Sequence, residues 1–378
     1  MRRMIGRRRL LQATGVVLAF APAREAFAEL LRQGRAPQNL ATPTNLFDRL
    51  ITPTADFFVR SHFGPPALRR DRPVSVEGLV ANKLTLTADD LEKSFKPVTV
   101  TAVLQCAGNG RALHVPRVPG LQWVHGGMGQ ATFTGVRLRD LLEKAGVTAE
   151  NLKGTHVHLL GADAPPKPQT PAFLRSIPIE RALDPNTLVA YRMNGEALTL
   201  AHGAPLRLVV PGWAGDHWVK WLTKIAVQKE EAKGFYMQTG YRMPVERVEP
   251  GAAVPPEKMR PATTFPVKSI IGAPADGART SVGRQKIAGV AFSGEAAIAK
   301  VEVSVDEGKT WQVAKLEGEP GTGRWVVFTV ELERKEPGRV RAMARATDKK
   351  GNVQPERPDW NPSGYFWNGW HSVSWEVA

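Results

Sequence analysis

The chain has 378 residues, and a composition that is 42% hydrophobic with 35 Gly and 30 Pro gives it material for about two cores rather than one. Its formal net charge is +15, and a single cysteine excludes both a disulfide within the chain and a C-x-x-C-H haem attachment. Any electrons handled here must therefore leave to a carrier outside the chain.

In chain order, residues 1–28 read as a twin-arginine export signal. Arg7, Arg8, Arg9, Leu10 and Leu11 are followed by a weakly apolar stretch too short to anchor in a bilayer, then by small residues at Ala26 and Ala28 suited to cleavage. The expected location is periplasmic, and that route commonly carries folded, cofactor-loaded proteins. These 28 residues hold six Arg and one Glu, so +10 of the charge belongs to the remainder. On an exported chain this favours an anionic substrate, cofactor or acidic protein partner over nucleic acid.

Residues 39–264 read as one α+β domain. Strands are predicted at Val74–Leu79, Val98–Leu104, His156–Leu160 and Leu206–Val210, with amphipathic helices between them. The clearest helix places Leu138, Leu141, Leu142 and Ala145 on one face and ends at Gly146. Seven prolines between Met243 and Thr280 then suggest an extended connector over the surface. From residue 265 onward, strand-like runs recur at Ile287–Phe292, Lys300–Val305, Trp325–Leu332, Val340–Thr347 and Val373–Val377. Alternation of Val301, Val303 and Val305 against Lys300, Glu302 and Ser304 indicates a half-buried antiparallel sheet, and residues 265–378 fit an immunoglobulin-like sandwich.

The stretch VTVTAVLQCAGNGR carries the only cysteine, Cys106, at the end of a β-branched run and the start of a glycine-rich turn. A lone cysteine is commonly a small buried hydrophobe. Here the turn frees backbone N–H groups, and Arg111 five residues on favours the thiolate. Arg60 and His62, two apart in FFVRSHFGPP, leave an extended segment on one face. The run HGAPLRLVVPGWAGDHWVKWL adds Arg207 and Lys220 around an apolar strand. His156 and His158 share a strand face without a third ligand nearby in sequence, so they read as structural rather than as a zinc pair.

Together FFVRSH, QCAGNGR, the HGAPLR to HWVKWL block, KVEVSVDEGKTWQ and WNPSGYFWNGWHSV resemble, in order, the sulfite oxidase family of molybdenum enzymes, in its exported bacterial sulfite dehydrogenase branch. The resemblance implies a molybdopterin-binding domain followed by an immunoglobulin-like domain that often mediates dimerisation. It makes Cys106 the thiolate ligand of molybdenum, alongside one pterin per metal. Phe58, Val59, Arg60, Ser61, His62, Asp163, His202, Arg207, Trp218, Val219 and Lys220 would hold the pterin and its phosphate. Arg60, Arg111, Trp123 and Tyr241 would form the substrate pocket. The implied reaction oxidises sulfite to sulfate by oxygen-atom transfer and passes electrons singly to a separate c-type cytochrome, with the chain a homodimer or a heteromer with a cytochrome subunit. The alternatives are a related molybdenum enzyme acting on another sulfur compound or a sulfoxide, and an exported anion-binding protein without catalysis. Some family members place an arginine in the segment matching WNPSGYF, where this chain has Ser363, and Phe133 stands where many have tryptophan.

Overall fold

The computed structural model describes residues 31–34, 38–147 and 152–378; the predicted signal at 1–28 lies outside them. Two sheets enclose the first core. One is wholly antiparallel, with Val98–Gln105, Met128–Arg137 and Leu188–Met193 side by side, and both Arg207–Val209 and Glu196–Ala197 paired to the last. The other runs Leu84–Leu86, Val74–Gly78, Leu222–Gln228, His156–Gly161, Leu174–Pro178, with one parallel pair, Val74–Gly78 beside Leu222–Gln228. Between them pack Val100, Ala102, Phe133, Leu141, Ile177, Leu208 and Ile225.

Helix is scarcer than the sequence pattern predicts. Leu138–Lys144 forms as expected and Gly146 follows at φ 78, while Ala88–Ser94 is started by a reciprocal Thr87/Asp90 capping box. The other two α-helices among the described residues, Ile179–Ala182 and Phe235–Gln238, are single turns. The proline- and glycine-rich connections cannot propagate longer ones. The segment ATFTGVRL, which leads into the helix, lies in the ten-residue strand Met128–Arg137 up to Arg137, and its Leu138 opens the helix.

The second core lies between a four-stranded sheet, Lys268–Ala273, Gly283–Phe292, Trp325–Arg334 and Lys315–Glu317, and a five-stranded sheet built on Ile298–Ser304, Gly338–Asp348 and His371–Val377. Two readings are corrected here. The proline-rich stretch is not connector throughout, because KSII lies within the strand Lys268–Ala273, which is free of proline and buried against Gly283–Phe292. The predicted alternation holds for buried Val301 and Val303 but ends at Ser304, which is buried while Val305 is 42% exposed. The strand stops there because the Ser304 hydroxyl serves the following turn, donating to Asp306 Oδ1 at 2.7 Å and accepting from the Gly308 N–H at 2.9 Å.

A third apolar cluster, including Phe47, Val103, Phe265, Phe292, Trp325 and Phe366, joins the two halves. At its edge buried Gln130 accepts from the Trp325 N–H at 2.7 Å and donates to Leu50 O at 2.9 Å. Gln130→Ala strands those backbone groups, so it is expected to cost about 2 kcal/mol, read as a lower denaturation midpoint at unchanged slope.

The halves also meet through His125 and His371, whose rings are 4.4 Å apart, and the His371 Nδ1 accepts the Ile271 N–H at 3.1 Å. Burial first, then nearby Lys268, depresses His371 to about 4; burial first, then Arg111, depresses His114 to about 4. The folded chain therefore keeps both rings neutral where the unfolded chain, titrating near 6.5, takes up protons. Stability is expected to fall as pH drops from about 6.5 towards 4, by roughly 1.4 kcal/mol per unit for each ring. Urea denaturation across that window checks it.

Candidate active site

Cys106 follows the last residue of the strand Val98–Gln105, and its N–H donates to Gly127 O at 2.9 Å. The next residues turn sharply. Gly110 adopts φ 93, and a Cβ there would lie 2.6 Å from Trp367 Cβ of the second domain, so only glycine lets this loop pack against that domain. Burial pushes the Cys106 thiol up, while Arg60 and Arg111 pull it down. The residue remains half-buried, opening onto a cleft of about 710 Å³ that is continuous with solvent.

Segments far apart in sequence supply the walls. Phe58, Arg60, Ser61 and His62 come from the extended stretch after the turn Thr54–Asp56, Asp163 follows the strand His156–Gly161, and His202 and Arg207 flank the chain at Gly203. Trp218, Val219, Lys220 and Tyr241 complete the set. Of the residues proposed from sequence, Val59, Arg111 and Trp123 do not border the cleft. Val59 exchanges backbone hydrogen bonds with Leu40, both 2.9 Å, and its side chain packs with Leu40 and Ala201. Trp123 is fully buried, edge-on to Phe58 at 6.2 Å, with its Nε1 unpartnered among the described residues. Arg111 donates to Ser363 O at 3.2 Å and Leu121 O at 3.1 Å, and lies 5.3 Å from the Tyr365 ring.

The cleft is cationic and short of counter-charge. Arg207, 2% exposed, donates to the carbonyls of His202 at 3.0 Å and Trp218 at 3.3 Å and lies against the rings of Phe133 and Trp218. Lys220 Nζ donates to Ala201 O at 2.9 Å and sits 4.2 Å from the Trp221 ring. Neither forms an ion pair among the described residues. Burial brings Arg207 down to about 9, and burial followed by repulsion from Arg207 brings Lys220 to about 7. Asp163 opposes that fall in Lys220 without balancing it, its own carboxyl held above the usual range chiefly by burial. Two buried cations resting on carbonyls and ring faces form a site that a multiply charged anion would complete.

Also in the cleft, His62 Nε2 and the Tyr241 hydroxyl are 2.7 Å apart, and Arg60 Nη2 is 3.4 Å from His62 Nδ1. Burial, then Arg60 and Arg175, depress His62 to about 3, so it is neutral at pH 7; burial raises the Tyr241 hydroxyl, leaving it protonated. Tyr241 holds a left-handed backbone, φ 59. Its N–H donates to the Tyr365 hydroxyl at 3.3 Å, and the two rings stack at 5.7 Å and 4°. Sequence reasoning missed Tyr365, Arg175 and Asp216, which borders the cleft. The first arrives from the second domain, and the other two make sense only as a pair brought together by folding. No local sequence pattern marks any of the three.

Comparison with known proteins now bears on this geometry. Residues 62–236 match the family model for the oxidoreductase molybdopterin binding domain, and 260–378 match the Mo-co oxidoreductase dimerisation domain. The sulfite oxidase of Arabidopsis thaliana is 34% identical over 364 residues, covering 90% of this chain and 92% of that protein. The chain belongs to the sulfite oxidase family. Human mitochondrial sulfite oxidase is 37% identical over 352 residues, 89% of this chain but 64% of that longer protein. Among solved structures, the sulfane dehydrogenase SoxCD from Paracoccus pantotrophus superimposes with a TM-score of 0.79 at 27% identity, covering 98% of this chain and 96% of that one.

The family's cofactor is molybdenum with molybdopterin, and the cleft fits it. Cys106 offers one soft sulfur ligand in the cleft wall, while Arg207 and Lys220 lack the counter-charge that the pterin's phosphate would carry. Phe58, Ser61, His62, Asp163, His202, Trp218 and Val219 line the space between them.

Proposed function

We propose that this family member oxidises sulfite to sulfate and hands the electrons one at a time to a separate c-type cytochrome. The observation that carries the reading is the cluster of Arg60, His62 and Tyr241 lining the same cleft as Cys106, with the Tyr241 hydroxyl 2.7 Å from the His62 ring and Arg60 Nη2 3.4 Å from it. When bound, the molybdenum cofactor supplies oxygen-atom transfer and takes up two electrons. The chain's own residues do the rest. Arg60 attracts and orients the anion, neutral His62 accepts or donates at the Tyr241 hydroxyl, and that hydroxyl offers a hydrogen bond without carrying charge. Sulfite and sulfate are both anions, so a single guanidinium, Arg60, beside neutral His62 and Tyr241 favours capture without retaining product.

A second reading, oxidation of a sulfane sulfur, draws support from the near-complete superposition on the sulfane dehydrogenase and from Ser363 standing where some relatives have arginine. Steady-state kinetics with a c-type cytochrome separate them. Sulfite should give the higher kcat/KM, with a KM that rises with ionic strength as the attraction is screened. Turnover of a thiosulfate-type sulfane donor with none of sulfite would transfer the assignment to the second reading.

The Arg7, Arg8, Arg9 motif and the basic remainder support export by the twin-arginine route to the periplasm, where an acidic cytochrome surface would be attracted. The match to the dimerisation domain supports a homodimer, or a heteromer with a cytochrome subunit. Among the described residues, no helix is long and apolar enough to cross a membrane.

A further inference from the structure

Anion capture leaves one group in the cleft unused, a carboxylate. Asp216 borders the space with a side chain 1% exposed, and its Oδ1 has no hydrogen-bond partner among the described residues. Its Oδ2 lies 2.6 Å from Nη2 of Arg175, whose side chain is fully buried on the strand Leu174–Pro178. That same Nη2 is 2.8 Å from His217 Nε2, Nη1 donates to the Tyr236 carbonyl, and the guanidinium sits 5.2 Å from the centre of the Tyr241 ring. Arg175 thus touches the ring of Tyr241 and the backbone of Tyr236. His62 packs against both tyrosines, 5.8 Å from one ring and 4.8 Å from the other.

We propose that Arg175, charge-matched by Asp216, is a positioning residue for the His62–Tyr241 hydrogen bond. A buried ion pair contributes little net stability over apolar residues of the same size, so stability alone does not account for it. Position does. The Tyr241 backbone is held from the second domain by Tyr365, but nothing in that contact sets the direction of the hydroxyl, which depends on where His62 and the ring lie. The guanidinium fixes the ring through its face and fixes the neighbouring wall of His62 through the Tyr236 carbonyl. Asp216 cancels the charge, so that Arg175 braces the tyrosine without becoming another anion-binding cation beside Arg60.

The inference deepens the sulfite reading and rests on it for its kinetic test alone. Arg175→Met and Asp216→Asn each leave a buried charge unmatched and should lower the thermal midpoint, whereas the double variant carries neither charge and should recover much of the loss. In the cofactor-loaded double variant, kcat for sulfite should fall by roughly tenfold or more with KM within about threefold of the parent. Nitrogen NMR of the His62 imidazole should show one hydrogen-bonded tautomer in the parent and averaging between tautomers in the double variant. Parental kcat with an unchanged His62 signal would overturn the proposal, as would a raised KM at parental kcat, which would make the pair an anion contact. If the parent itself does not oxidise sulfite, the functional reading fails, and the His62 signal alone decides the positioning role.

Discussion

Cys106→Ala should yield a folded protein with molybdenum at background and no measurable sulfite turnover. The residue is half-buried at a strand end, and its N–H donates to Gly127 O through the backbone, which alanine preserves. Removing one sulfur from such a site costs the fold about 1 kcal/mol, whereas removing the only thiol in the chain would take away the sulfur ligand proposed for the metal. Metal analysis beside near-ultraviolet circular dichroism separates the two effects. Full metal content and activity in the variant would remove Cys106 from the mechanism.

The second large effect is expected at Lys220. Its ammonium is buried beside Arg207 and held by one carbonyl, so in the empty protein it is a source of repulsion that the bound phosphate relieves. Lys220→Met keeps the length of the side chain and removes the charge. Stability of the cofactor-free protein should stay level or rise. Cofactor retention should fall roughly tenfold to a hundredfold, the equivalent of one charge-assisted hydrogen bond of about 1.5 to 3 kcal/mol. Pterin fluorescence after gel filtration checks retention, and thermal unfolding of the stripped protein checks the sign. A less stable stripped variant that keeps its pterin would show that the lysine serves the fold.

Much of this was legible in the residues. Period-two alternation placed Val98–Gln105 and most of the sandwich strands within a residue or two, because one face of each must be buried and a slip would expose it. Arg207 and Lys220 stood out as candidates for a similar reason, since both sit in a largely apolar run where a solvated charge has little place, and both border the cleft. Trp123 shows where the reading stops. A tryptophan near the glycine turn can face the cleft or brace it, and here contact with Phe58 puts it in the core. Arg111 likewise reaches Ser363 O and Tyr365, contacts 252 residues or more along the chain that no local pattern contains. The Arg175 and Asp216 pair was invisible for the same reason. Each alone reads as a surface charge, and only the turn Gly215–His217 folding over the strand Leu174–Pro178 buries them against one another.

The most direct test of the central claim is an anaerobic count of electrons. Cofactor-loaded protein is mixed with limiting sulfite and excess ferric c-type cytochrome, and reduced cytochrome and sulfate are measured together. Sulfite oxidation in this cleft predicts two cytochromes reduced for each sulfate formed, and neither product from the Cys106→Ala variant. Sulfite left unchanged by fully loaded protein, with the cytochrome still oxidised, would contradict it.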